Sequence, residues 1–364
     1  MDYMGVPVAV TYSDIARHAG VSTATVSRVL SGSDPVSDAI AARVRASADA
    51  LGYRSNRAAR ALRKNTSETI ALVFPDIEQP FFATIARVVE DHAARLGRPT
   101  IVCNTGEDLG REQVLLDLII DERVAGLILA PSDENSAAAA AVVEAGIPLI
   151  TVDRRFHGDP VSSVLVDNQA GARALVADLL GHGHRRIAAI TGTAVATSSR
   201  ERLAGCQQAV AAVPGASLLI AEGKMRDAIG IAATTEMAGR LLSEMLAGQD
   251  DPPTAIFCGN GIITQGVVRA LKSAGRAIPG EVAVAGFDDL PMFDLLEPPL
   301  TVAAQPVEEI GRIAGRLLFQ AIENPGREPR VVTVPPQLRF RLSCGGHPAA
   351  ATGRGYMHST MNPD

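Results

Sequence analysis

The sequence predicts a small all-α head joined to an α/β body of two doubly wound subdomains. Three observations carry that expectation. Two short helical patterns flank a glycine corner near the N-terminus, and a basic charge excess is confined to that end. From residue 69 onward, apolar runs of strand length alternate with amphipathic helical stretches. At 364 residues the chain has room for two or three domains.

Residues 11–30 read TYSDIARHAGVSTATVSRVL. Ile15 and Ala19 fall four apart on a first helix, and Val26, Val29 and Leu30 form an apolar stripe on a second. Gly20 supplies the corner without a Cβ penalty, and Ser22 is placed to cap the second helix. Thr23, Ala24, Ser27 and Arg28 fall on a different face from the stripe. One face to pack and one to present is the layout of a helix-turn-helix, whose second helix enters a DNA major groove. Any three-helix cluster can contain such a corner, so the motif alone leaves plain packing open as well.

Residues 31–35, SGSDP, read as a loop. Ser37 is placed to cap a third helix carrying Ile40, Val44, Ser47, Ala48 and Leu51, with Gly52 closing it. Three such helices bury little surface, which predicts a marginally stable head. Asn56 can cap one more helical stretch, residues 57–64, with Ala58, Ala59 and Leu62 on one side and Arg57, Arg60 and Lys64 on the other. So short a helix is not stable alone in water. The segment is either a charged linker or a helix that folds only on DNA, with Leu62 as a minor-groove wedge and the arginines at phosphates.

The net charge of −6, taken whole, argues against nucleic acid. Its distribution argues the other way: residues 11–64 hold nine Arg/Lys and four acids, a net of +5, which leaves −10 on residues 65–364 once Asp2 is set aside. A basic head on an acidic body fits a DNA module attached to a part that does not touch DNA. Cys103, Cys206, Cys258 and Cys344 are far apart, with no CxxC pair, and read as packing residues in a reducing compartment. No apolar run reaches bilayer length, and residues 1–10 lack a secretory pattern, so a cytoplasmic protein is expected.

In the body, residues 69–74, 100–103, 126–130 and 148–152 read as strands, with helices at 82–96, 111–121 and 136–145. A second set follows, with strands at 163–166, 187–190, 217–221, 255–258 and 282–285 and helices at 169–180, 202–212, 233–247 and 262–274. The rhythm argues parallel sheets covered on both faces. Two such units in a row predict a cleft with ligand groups at the carboxyl ends of strands. Residues 344–364 are rich in Gly, Ala and polar residues and are expected to be a disordered tail, with no heptad pattern for an oligomerising coil.

Catalytic and metal readings find little support. His182 and His184 share a turn with no Cys or carboxylate pair nearby. Asp288 and Asp289 are adjacent and so point different ways, and no GxGxxG follows a strand into a helix. No catalytic residue, metal or cofactor is expected.

SDIARHAGVSTATVSRVLSG, the third helix, and LGYRSNRAARALR together resemble the lactose/galactose-repressor (LacI/GalR) family of bacterial transcription regulators. The body resembles the same family, and beyond it the type I periplasmic sugar-binding proteins. The motifs are ALVFPD with QPFF, then VAGLILAPS, IPLITVDR, GHRRIAAITG, RERLAG, AVAGFDD and PPLTVAAQP, in that order. The resemblance runs from about residue 11 to about residue 343. It implies a domain plan of an N-terminal extension (1–10), a helix-turn-helix domain (11–55), a hinge helix (56–66), a two-lobed effector-binding and dimerisation domain (67–343) and the tail.

The resemblance implies a homodimer on a palindromic operator, acting as a repressor. Thr23, Ala24, Thr25, Ser27 and Arg28 lie on or beside the base-reading face, Asn56 and Ala59 make hinge contacts, and Leu62 is the wedge. Effector contacts are implied at Phe81, Asp153, Arg202, Asn260, Asp288 and Gln305, with Phe82 as a further apolar wall and Met225 either lining or packing. Carboxylates and a forked guanidinium suit a carbohydrate or similar polyhydroxylated effector. Two departures weaken a plain sugar reading. Gly261 stands where the family usually has Asp, and the chain has no Trp, with Val307 where an aromatic platform is sometimes found. A nucleoside-like effector therefore stays open. The body alone also fits a solute-binding protein without regulatory role, against which the basic head and the missing secretory pattern weigh.

Overall fold

The computed structural model describes residues 10–31, 36–53, 67–193, 195–223, 231–247 and 251–345. Asn56, Ala59, Leu62 and Met225 lie outside them, as does the chain from residue 346. The chain divides into two compact units, Met1–Ser67 and Glu68–Asp364.

In the first unit, α1 (Tyr12–Ala19), α2 (Thr23–Ser31) and α3 (Asp38–Ala50) pack around Ile15, Val26 and Val44, all fully buried. Thr11 and Asp14 form a reciprocal capping box on α1, which ends at Gly20 in the left-handed conformation (φ 63°). Ser22 caps α2 as expected, its Oγ accepting from the Thr25 amide at 3.1 Å. Ser37 does hold the N-cap position of α3, but its side chain makes no capping bond. Asp38 in the first turn supplies favourable charge instead. Leu51 is the C-cap of α3, and Gly52 after it closes the helix as expected, left-handed at φ 64°, with the Tyr53 amide donating to the Ala48 carbonyl at 2.8 Å.

The second unit holds two six-stranded sheets. The first takes β1 (Ile70–Phe74), β2 (Thr100–Asn104), β3 (Gly126–Leu129), β4 (Leu149–Val152), β5 (Ser162–Val166) and β11 (Val331–Val334), in the order β11-β5-β4-β3-β1-β2, all parallel. The second takes β6 (Arg186–Thr191), β7 (Ser217–Glu222), β8 (Ala255–Cys258), β9 (Ala283–Phe287), β10 (Thr301–Ala304) and β12 (Gln337–Arg339), in the matching order β12-β10-β9-β8-β6-β7, with β12 antiparallel. The central strands are buried along their whole length, because helices cover both faces. On the first sheet these are α4 (Pro80–Arg95), α5 (Leu109–Asp121), α6 (Ala137–Glu144) and α11 (Val307–Glu323). On the second they are α7 (Asn168–Gly181), α8 (Thr197–Ala211), α9 (Ile231–Leu246) and α10 (Gly261–Ser273).

The lobes are therefore not two units in a row. β5, read with the second set, belongs to the first sheet, and the chain crosses between lobes three times: from β5 into α7, from β10 into α11, and from β11 to β12. β10, α11, β11 and β12 had no place in the sequence reading, and α8 starts at Thr197 rather than at residue 202. Cys344, assigned by sequence to the tail, is buried at 1% exposure, and burial pushes its thiol up to about 12. No helix among the described residues is long and apolar enough to cross a membrane.

One glycine shows how tightly α7 and α8 cross. A Cβ on Gly205 would lie 2.3 Å from the Gln169 carbonyl oxygen and 2.9 Å from the Arg173 amide nitrogen, both backbone atoms. Gly205→Ala must part the helices and is expected to cost about 2–3 kcal/mol. Chemical denaturation checks it against Gly280→Ala, whose Cβ would meet nothing closer than 3.6 Å and which should be near neutral.

Candidate functional site

On the head, Thr23, Ala24 and Arg28 are exposed and Thr25 and Ser27 half-buried, while Val26 and Val29 turn into the core. The predicted face thus exists as one surface of α2. The Thr25 hydroxyl lies 2.9 Å from Ser22 Oγ and so serves the helix start as well.

In the body, Phe81, Asp153, Arg202, Asn260, Asp288 and Gln305 all line one recess of about 50 Å³ between the lobes. Phe81, Asn260, Asp288 and Gln305 also line an adjoining cavity of about 310 Å³.

The two aspartates hold equivalent places. Asp153 follows β4 and Asp288 follows β9, the third strand of each sheet order, and each is left-handed, with φ of 64° and 70°. Their amides bond to the next strand in the same way, Asp153 to Val164 at 3.1 Å and Asp288 to Ala303 at 2.9 Å. Such backbone costs a non-glycine residue about 1–2 kcal/mol, with Asp among the more tolerant types. Held here, each carboxylate sits at the carboxyl end of its strand, facing the cleft.

Arg202 lies between them, 5% exposed. Its Nε donates to Asn168 Oδ1 at 2.9 Å and its Nη1 to the Gly259 carbonyl at 2.7 Å, and the guanidinium stacks 3.8 Å from the Phe287 ring centroid. Among the described residues its Nη2 has no hydrogen-bond partner, nor does Gln305 Oε1. Burial holds the Arg202 pKa below its ordinary value, against the pull of Asp288, Asp153 and Glu201. Burial raises that of Asp153, opposed by Arg154, Arg202 and the Ser198 hydroxyl, while the Asp288 carboxylate adds to the rise. Asp288 accepts from the Gly261 amide at 3.0 Å and from Gln305 Nε2 at 2.5 Å. Asn260 caps α10 through its Oδ1, 2.8 Å from the Ile263 amide, which leaves its Nδ2 end for a ligand.

A cleft with a carboxylate from each lobe, a buried guanidinium and unfilled polar atoms offers both acceptors and donors to a hydroxyl-rich molecule. Residues 11–56 match the model of bacterial regulatory proteins of the lacI family, and residues 176–344 match a periplasmic binding protein-like domain. The ribose operon repressor of Halalkalibacterium halodurans is 31% identical over 92% of this chain and 97% of its own length. The chain belongs to the lacI family. The regulator DegA of Bacillus subtilis is 30% identical over 92% of this chain and 97% of its own. The solved complex of the transcriptional regulator CelR with cellobiose is 29% identical, with a TM-score of 0.66 over 92% of this chain and 99% of the other.

The cleft of this lacI-family regulator also holds residues that the sequence reading did not single out. Ser198 donates to Asp153 Oδ2 at 3.1 Å, and Asn168 positions Arg202. Arg154 is buried and bound by both its terminal nitrogens to Glu107, at 2.8 and 2.6 Å. Only the Asp-Asn pair opening α7 left a sequence signal, a capping residue just after a strand. Beside the recess the lobes are clasped: Glu134 of the first accepts two bonds from Arg200 of the second, at 2.7 and 2.9 Å, and a further one from Thr197. Burial works against the Glu134 charge, but the Thr197 and Arg200 bonds outweigh it and hold its pKa below the usual range.

Other sequence candidates resolve locally. Asp289 turns away from Asp288 and pairs with Arg339 at 2.6 Å and Arg341 at 2.7 Å. His184 pairs with Thr254 at 2.9 Å, and no group of three or more His, Cys, Asp or Glu is placed to hold a metal among the described residues.

Proposed function

We propose that this regulator represses transcription as a homodimer in the cytoplasm, and that a small polyhydroxylated effector in the interlobe cleft sets its operator affinity. The observation that carries the effector reading is the buried Arg202 with its unfilled Nη2, flanked by Asp153 and Asp288. A ribose operon repressor among the relatives and a cellobiose-bound neighbour support a sugar-like ligand. The exposed Thr23, Ala24 and Arg28 on α2 support base reading, with Thr25 and Ser27 beside them. Exposed apolar residues on edge strand β2 (Ile101, Val102) and on α5 (Val114, Leu118) support a dimer face. Effector and operator must then change each other's affinity by the same factor.

Fluorescence anisotropy with the DNA upstream of its own gene tests the reading. Binding should be sequence-selective, weaken steeply with salt, and shift when a cleft ligand is added. Equal affinity for unrelated DNA would end the proposal.

A further inference from the structure

The Gly261 departure has a structural counterpart. A Cβ at residue 261 would lie 2.9 Å from Leu290 Cγ, 3.1 Å from Leu290 Cδ2 and 3.3 Å from Asp288 Cβ. Leu290 therefore stands in the space that a side chain at 261 would take. The consequence is chemical as well as steric. Where the resemblance implies a carboxylate at the start of α10, this chain presents Leu290 and Ile262, and both line the cavity of about 310 Å³ beyond the polar recess. Pro80, Phe81, Pro291 and Val307 continue the apolar wall.

Of the charges lining that cavity, Asp288 is shared with the recess and the others are engaged in ion pairs. Asp289 is held by Arg339 and Arg341, and Glu308 lies 3.0 Å from Arg87. In the recess Arg154 pairs with both Glu107 and Asp153, and Arg202 is flanked by Asp153 and Asp288, so three carboxylates face two guanidiniums. The recess is thus short of positive charge, and a phosphate would face two carboxylates across a low-dielectric gap. Hydroxyls can donate to those carboxylates and accept from Arg202, whereas a phosphate dianion has no proton to donate.

We propose that the effector is an uncharged, two-ended molecule: a hydroxylated ring in the Asp153–Arg202–Asp288 recess, bearing an apolar group that packs on Leu290, Ile262 and Val307. Leu290, seated over Gly261, determines specificity for that group. The chemistry is shared by glycosides with an apolar aglycone and by nucleosides. It rests on the cleft being the effector site.

Titration calorimetry on the full-length protein decides it. The probes are ribose, glucose and galactose, the phenyl glycosides of the two hexoses, adenosine and uridine, and ribose 5-phosphate and glucose 6-phosphate. At least one apolar-bearing probe should bind about tenfold or more tighter than its bare sugar, the lower end of what a single buried methylene can discriminate. The phosphate esters should bind more weakly than either. Phenyl glycosides binding above nucleosides identify a glycoside, and the reverse identifies a nucleoside. Gly261→Asp should erase the preference by displacing Leu290 and placing a charge on the wall. Leu290→Asn, which needs no new room, gives the same test should the first variant misfold. A bare sugar or phosphate ester binding as tightly overturns the proposal. So does the absence of binding by every apolar-bearing probe, or a preference that survives both variants. Arg202→Ala separates the two readings. If it abolishes binding while the bare sugar equals its phenyl glycoside, the cleft stands and only the apolar preference falls. If it changes nothing, the ligand sits elsewhere and both fall.

Discussion

Arg202→Ala should abolish the response of operator affinity to effector, whether the effector induces or represses. The guanidinium makes two hydrogen bonds with the fold, to Asn168 and Gly259, and its Nη2 remains for the ligand. A charged hydrogen bond of this kind contributes about 1.5–3 kcal/mol, so effector affinity should fall on the order of 100-fold. The fold should suffer as well. Asp153 and Asp288 lose the cation between them, and the Gly259 carbonyl and Asn168 lose their donor. Breaking a buried pair by removing one partner costs about 3–5 kcal/mol. Arg202→Lys should not rescue binding, because an ammonium cannot reach Asn168, Gly259 and a ligand with one planar fork. Calorimetry and a thermal melt check both parts. A variant that still answers to effector would remove Arg202 from the site.

Ile15→Ala should destroy DNA binding while leaving effector binding intact. Ile15, Val26 and Val44 are the fully buried centre of the head. A large-to-small change there costs about 2–5 kcal/mol, comparable with everything so small a three-helix unit can hold. The head should therefore unfold. The body, a separate compact unit with its own cores, should melt at its usual temperature and bind its ligand unchanged. Arg28→Ala provides the contrast, since Arg28 is exposed and its loss should leave the head folded. If Arg28 reads a base, specificity at one position relaxes. If it holds a phosphate, affinity falls across all sequences and the salt slope drops by about one. Amide NMR spectra with anisotropy titrations distinguish these outcomes, and undiminished operator binding by Ile15→Ala would contradict the assignment of the head.

Much of the head was legible because its signals are local. A cap at Ser22, a corner at Gly20 and a stripe at Val26, Val29 and Leu30 depend on neighbours within a turn or two. The strands of the body were legible for a related reason: parallel strands covered on both faces read as unbroken apolar runs, as in Ile70–Phe74. Arg202 and Asp288 stood out through their motifs; Phe81, Asp153, Asn260, Asp288 and Gln305 each lie at a strand end or helix start, and Arg202 reaches them from the second turn of α8.

What stayed hidden needs partners far away in sequence. Thr197 and Ser198 open α8 with residues that favour loops, and their contacts lie with Glu134 and Asp153 in the other lobe. Gly261 reads as a missing acid until Leu290, 29 residues on, is found in its Cβ space. The crossovers through α11 and β11 are of the same kind, because which sheet a strand joins is set by the other strands' open edges rather than by its own residues. By itself the sequence determined the kinds of elements, the basic head on an acidic body, and the polar residues available to a ligand. Only the tertiary structure decided that two carboxylates from equivalent strands face one buried arginine, and that Leu290 and Ile262 form an apolar wall beside Gly261. Local spacing sets periodicity and caps, but the environment of a buried charge is assembled by contacts across the fold.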